Sequence, residues 1–227
     1  MPWAPIRSDW RDAMTTEATP GGILILFARE PVAGQVKTRL IPALGAEGTA
    51  RLYRRLLGIA LRAGAATPGA RRRLWCAGAP ADGGECARLA EAHGFTRHLQ
   101  PTGDLGTRMA AALDEALVTA DRAVLIGSDC PDYNADYLSA AFAALDDHDA
   151  VLGPAADGGY VLIGLRRPAP ALFADIHWST SAVLAETRTA LRRIGLTWTE
   201  LPTLRDLDRP EDLADFGHLL DIDCHLD

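Results

Sequence analysis

Lysine is almost missing from this 227-residue chain, with one, Lys37, among 23 basic residues. Biased codon usage replaces surface lysine by arginine, so a lysine that persists marks a place where a compact, mobile ammonium is wanted. Also missing is any apolar run near the ~18 residues of a membrane span, and the N-terminus carries Asp9, Arg11, Asp12 and Glu17 where an export signal would be apolar. The four cysteines form no CxxC pair and the six histidines no zinc-like spacing. They are read as reduced thiols and ordinary packing or surface groups. There is no basic surplus: a net charge of −7 gives no general attraction to nucleic acid or an anionic membrane. The expectation is a cytoplasmic protein with no nucleic-acid or membrane partner, a homodimer remaining open.

What is present is enough apolar sequence, 48% of residues, for one continuous core. Residues 1–21 lack periodicity and are read as a loosely attached arm, 22–221 as one domain, and 222–227 as a tail. The central feature is Ala123-Val124-Leu125-Ile126, an apolar run that stops at Gly127-Ser128-Asp129. A strand covered on both faces reads this way, and ligands of open α/β sheets lie beyond the carboxyl ends of such strands. Asp129 is therefore the first candidate residue, against the plainer reading that Asp129 or Asp132 caps the next helix.

Ile23 to Ala28 is a second continuous apolar run, expected as a central parallel strand. It opens into a loop over residues 29–40 where Pro31 and Gly34 break regular structure and Lys37 and Arg39 supply two cations. Such a loop is a candidate phosphate clamp, although it lacks the P-loop spacing. Helices are expected over about 47–65, 84–93, 105–120, 135–145 and up to Arg193, and strands over 73–77, 96–100, 150–154, 160–165 and 196–201. The alternation indicates an α/β protein with a mainly parallel mixed sheet.

Three further stretches offer chemistry. Asp104 reads as a helix cap, and Arg108 in the first turn beyond it opposes the helix dipole unless an anion is near. Asp157-Gly158-Gly159 reads equally as a hairpin turn and as backbone that a substrate can approach beside a carboxylate. Asp208 reads as the N-cap of a last helix, with Asp206 less easily explained as structure. His177-Trp178-Ser179-Thr180-Ser181 reads as a capped helix start and a candidate lid, and Trp178 and Tyr160 as acceptor-stacking rings or core.

Cations can hold a diphosphate beside carboxylates when a Mg²⁺ or Mn²⁺ ion reconciles the charges, which points to nucleotide-activated substrates. The segments 27–40, 103–109, 125–132, 157–165, 177–180 and 204–213 together resemble those of the bacterial glycosyltransferase-A-like proteins sometimes linked to arsenosugar biosynthesis, relatives of molybdenum-cofactor and phospholactate nucleotidylyltransferases. The resemblance implies a single-domain nucleotide-diphospho-sugar transferase fold of Rossmann-like type. It also implies that Lys37 and Arg39 contact phosphates, that Ala28, Gly103 and Arg108 border the nucleotide, and that Asp129 holds the metal. Asp157 would be a second ligand or general base. The implied activity is transfer from a nucleotide-diphospho-sugar. Nucleotidyl transfer from a triphosphate is one alternative, because the turn offers Ser128-Asp129-Cys130 and no Asp-X-Asp, and nucleotide binding without chemistry is another, because a fold does not by itself carry a reaction.

Overall fold

A computed structural model describes residues 21–78, 84–216 and 219. Seven strands form one sheet in the order β3-β2-β1-β4-β6-β5-β7. They are β1 (Ile23–Arg29), β2 (Arg71–Ala77), β3 (Thr96–Leu99), β4 (Ala123–Ile126), β5 (Ala150–Pro154), β6 (Tyr160–Leu165) and β7 (Trp198–Glu200). The pairs β1–β2, β2–β3, β1–β4 and β5–β7 are parallel, while β6 runs antiparallel to both β4 and β5. The carboxyl ends of six strands, and the turn entering β6, therefore share one edge of the sheet.

The continuous apolar runs have a direct structural cause. Side chains alternate across a strand, so a strand covered by helices on both faces must be apolar at every position. In β1, Leu24, Leu26 and Ala28 enter the core on one side, against Tyr53, Leu57 and Leu61 of α1 (Ile41–Ala66) and Leu138 of α4 (Ala135–Asp147). Ile23, Ile25 and Phe27 enter the other, against Met109 and Leu113 of α3 (Leu105–Leu117) and Leu184 and Leu191 of α5 (Val183–Arg193). α2 (Gly84–Ala92) lies on the first side, contributing Cys86 and Ala90.

The architecture agrees with the α/β expectation, while several boundaries differ. The first helix begins at Ile41 and bends at Gly45, which has φ 68°, a conformation that glycine adopts without steric cost. The segment after Asp208 is a short 3-10 turn over Pro210–Ala214. The helix after His177-Trp178 starts at Val183 with no side-chain cap from the serines or threonine. Two of the cysteines expected as separate thiols are joined: Cys76 at the end of β2 and Cys86 in α2 form a disulfide, with Cα atoms 6.6 Å apart. Their separation in sequence hid this, because α2 turns back over the end of the strand that precedes it. The arm over 1–20 and the tail over 222–227 lie outside the described residues, and no described helix is long and apolar enough to cross a membrane.

Candidate active site

The loop after β1 brings Lys37 to the sheet's carboxyl edge in a left-handed conformation, φ 46°. Its side chain is 3% exposed, and its Nζ lies 3.2 Å from Asp129 Oδ2 and 3.4 Å from Asp208 Oδ1. Arg39 pairs with the other oxygen of Asp208. The two loop cations and the β4 carboxylate singled out in the sequence are thus brought together. Lys37 is held there by its neighbours Val36 and Leu40, both buried, the latter packing with Leu52, Leu56, Leu207 and Phe216.

Asp129 is not a helix cap. The cap of α4 is Asn134, whose side chain accepts from the Tyr137 N–H at 2.9 Å, which leaves Asp129 half-exposed at the edge. Behind it, the Tyr53 hydroxyl accepts from the Arg29 N–H at 2.8 Å and bonds the Ser128 Oγ at 2.9 Å. This contact joins the β1 and β4 loops through α1. Burial, and then the negative charge of Asp129, push the Tyr53 hydroxyl well above its ordinary range, so it stays protonated. The neighbouring Cys130 thiol is buried and pushed up to about 12, mainly by desolvation.

Asp208 departs from the sequence reading. The cap at this turn is Asp212, whose carboxylate accepts from the Asp208 and Arg209 N–H groups at 2.9 and 2.7 Å. That frees the Asp208 carboxylate for Lys37 and Arg39. Burial alone would raise its pKa, but the two cations outweigh burial and hold it below the usual carboxylate range. Asp206 moves the other way, raised first by burial and then by the charge of Asp157. Asp206 and Asp208 are part-buried while Leu207 between them is fully buried. Alternation of this kind sends two carboxylates to one side and the leucine to the core. Asp206-Leu207-Asp208 thus has the Asp-X-Asp spacing that the β4 turn lacks, a pattern visible in the sequence.

Asp157 sits at the turn between β5 and β6, exposed, with Oδ1 accepting from the Gly159 N–H at 2.8 Å. Among the described residues no hydrogen bond or ion pair joins it to Asp129; it meets the cluster through its charge on Asp206. Main-chain hydrogen bonds fix the three acidic segments: Leu207 N–H to Asp129 O at 3.1 Å and Ala156 N–H to Leu204 O at 3.0 Å join them to each other, and Leu184 N–H to Gly158 O at 3.0 Å ties the Asp157 turn to α5.

Arg108, Gly103 and Ala28 form a second patch along the same edge. Asp104 caps α3 through the Thr107 N–H at 2.8 Å, as read from sequence, and Gly103 precedes it with φ 120°. The Arg108 guanidinium donates to Gln100 Oε1 at 3.2 Å, and the Gln100 amide donates to the carbonyls of Ala28 and Trp75, each at 3.0 Å. Gln100 is a residue that sequence reasoning passed over. Trp178 lies against Gly106 in the first turn of α3, and both Trp178 and Tyr160 pack on the α3–α5 side of the core.

The carboxylates suit a hard divalent cation. Among the described residues no three of them are close enough to form a ready-made cage. Mg²⁺ and Mn²⁺ sites of this kind take one or two carboxylates and complete their shell with phosphate oxygens and water. Asp206 is raised first by burial and then by the charges of Asp157 and Asp208, with Lys37 opposing them.

The profile of a family described as an uncharacterised protein conserved in bacteria, DUF2064, matches residues 60–180, more than half of the chain. The chain belongs to the DUF2064 family. No functionally curated protein matches it. A crystal structure from Desulfovibrio desulfuricans G20, of a protein provisionally named a nucleotide-diphospho-sugar transferase, is similar to this DUF2064 member at 30% identity, covering 90% of this chain and 100% of its own, with a TM-score of 0.77. The CMP:2-keto-3-deoxy-manno-octonic acid synthetase complexed with CTP shares the fold at 14% identity, covering 88% of this chain and 98% of its own, TM-score 0.51. So does the manganese complex of Rv0371C from Mycobacterium tuberculosis H37Rv, at 17% identity, 88% and 98% coverage and TM-score 0.50. The DUF2064 chain thus has the nucleotide-diphospho-sugar transferase fold expected from its sequence.

Proposed function

We propose that this DUF2064 protein is a metal-dependent transferase acting on a nucleotide-diphospho-sugar donor. The observation that carries the reading is the Lys37 ammonium, buried between Asp129 and Asp208 at the carboxyl edge of β1 and β4. A diphosphate with its divalent cation satisfies both halves of that cluster, its oxygens taking the ammonium and its metal taking the carboxylates. The resemblance to the D. desulfuricans protein supports the donor class.

In this reading Lys37 and Arg39 exchange Asp208 for phosphate oxygens through charge-assisted hydrogen bonds. Asp129 would hold Mg²⁺ or Mn²⁺, with Asp157 or Asp206 as the second carboxylate. When bound there, the cation would supply Lewis-acid neutralisation of charge on a departing phosphate. The Ala28–Gln100–Arg108 patch, with Gly103 beside it, faces the nucleotide. Asp157, oriented by the Gly159 N–H, takes the proton of an acceptor hydroxyl.

One observation favours a second reading. The β4 turn offers Asp129 with no second aspartate two residues on, which suits nucleotidyl transfer from a triphosphate as well. Product analysis decides between them. The protein is incubated with Mn²⁺ and a panel of nucleotide-sugars or triphosphates, with hydroxyl acceptors that include arsenosugar precursors. Released nucleoside diphosphate, lost in Asp129→Asn, is the expected result; released pyrophosphate selects the second reading, and turnover unchanged in Asp129→Asn overturns both.

A further inference from the structure

The sheet edge holds another group of potential ligands, separate from the aspartates. Cys76 Sγ, Cys86 Sγ and a carboxylate oxygen of Glu30 all lie within 4.8 Å of one another, and among the described residues no other His, Cys, Asp or Glu trio is this close. Both cysteines are buried and Glu30 is partly so. The Glu30 carboxylate is already aimed, accepting the Glu85 N–H and the Cys86 N–H of α2, the latter at 3.3 Å. A carboxylate has about four lone-pair sites, so those two bonds leave capacity for a metal. Cys86 stands in the first turn of α2, where the helix dipole favours thiolate over thiol. Glu30, though neither cysteine, also lines an open cleft of about 760 Å³ with Pro31, Arg54, Glu85 and Arg88, so the trio reaches that cleft through its carboxylate.

We propose that the reduced Cys76–Cys86 pair, with Glu30, binds a thiophilic divalent cation of the zinc type, leaving a fourth position open toward that cleft. Two sulfurs and one oxygen select zinc-like ions over Mg²⁺, and three protein ligands with one open position is the arrangement of a reactive zinc site more than of a closed structural one. The disulfide and the metal exclude each other. A phosphine reductant and water convert the disulfide to two thiols and a phosphine oxide, and the cation then displaces the two thiol protons. The bond between β2 and α2 is thus one state of the site and the metal-loaded dithiol the other. The site stands independently of the donor reading, since it shares no residue with the Lys37–Asp129–Asp208 cluster.

The test is protection from alkylation on the full chain. The protein is reduced with phosphine, freed of excess reductant, and alkylated with and without Zn²⁺, and each cysteine is followed by mass spectrometry. At zinc about tenfold above Kd the free dithiol fraction, and with it the labelling rate at Cys76 and Cys86, falls about tenfold. Mg²⁺ gives no protection, Asp129→Asn keeps the zinc effect, and Glu30→Gln, which preserves side-chain shape, raises the zinc needed by about tenfold or more. The proposal is overturned if phosphine liberates no thiol at the two positions, if zinc leaves their labelling unchanged, or if Asp129→Asn abolishes the protection. Circular dichroism of each variant confirms that the fold is retained.

Discussion

Replacing Lys37 by methionine separates the proposed phosphate clamp from a structural strut. The change keeps the apolar stem and removes only the ammonium, which lies 3.2 Å from Asp129 and 3.4 Å from Asp208. At an effective dielectric near 20 a unit pair at that range attracts by about 5 kcal/mol, an upper bound. Burying the ammonium costs several kcal/mol in lost hydration, which offsets most of it. The carboxylates left behind rehydrate, because Asp129 is 49% and Asp208 33% exposed, and Arg39 still holds Asp208. The net change in stability is therefore within about 1 kcal/mol, a Tm shift of no more than about 4 °C for a chain of this size. Donor affinity behaves differently. Loss of one charge-assisted hydrogen bond to a phosphate costs about 1.5–3 kcal/mol, roughly ten- to a hundredfold in Kd. The assay is paired: thermal unfolding without ligand, and calorimetric titration with the nucleotide-sugar that turns over, in the presence of Mn²⁺. Asp208→Asn serves as the counter-variant, expected to hold or improve affinity because it removes the carboxylate that competes with phosphate for Lys37 and Arg39. A Lys37→Met protein that loses more than 10 °C in Tm yet binds donor within about threefold of wild type would refute the reasoning.

Three other predictions follow from the geometry. Tyr53→Phe removes the hydroxyl that joins the Arg29 N–H to Ser128, leaving a part-buried donor and the buried Ser128 Oγ without this partner, and is expected to cost about 1–3 kcal/mol in urea unfolding. Gly158→Ala places a methyl group onto the Ser181 carbonyl at a position with φ 92°, for an expected loss of about 2–4 kcal/mol, whereas Gly69→Ala, in open space at φ 71°, costs only about 1–2 kcal/mol. The two aspartates of the late segment should respond oppositely to pH, as urea unfolding across pH would show. Asp208, held below its ordinary pKa, contributes stability that is present above about pH 3.9 and lost as pH falls through its folded pKa, so Asp208→Asn is the less stable protein at neutral pH and equals wild type in strong acid. Asp206, raised in the fold, is penalised when ionised, so Asp206→Asn is the more stable protein at neutral pH, and its advantage disappears below about pH 3.9.

The sheet was legible because helix cover on both faces forces uninterrupted apolar runs, and Ile23 to Ala28 and Ala123 to Ile126 had no other good reading. Asp129 was legible for a related reason, as a charge placed where such a run ends. Helix limits were harder: the apolar spacing marks the first helix only from about residue 47, whereas it begins at Ile41 and bends at Gly45, ahead of the buried stripe that starts at Thr49. The Asp208 role was hidden by chemistry that fits two functions. A carboxylate before Pro210 satisfies every rule for a cap, and only the position of Asp212 shows that the cap was already supplied. Gln100 and the Cys76–Cys86 pair were illegible for a third reason: their partners are a carbonyl or a thiol brought near by topology, which leaves no periodic trace in the chain.

The acidic segments around Lys37 are fixed by bonds from Leu207 to Asp129, Ala156 to Leu204 and Leu184 to Gly158, all made by peptide groups. None depends on which side chain projects from the edge. The frame therefore works as a socket with interchangeable fittings: a carboxylate there can become an amide, a hydroxyl or a histidine while its neighbours keep their places. Selection, or a designer, can change the chemistry of this edge in single steps without first rebuilding the scaffold.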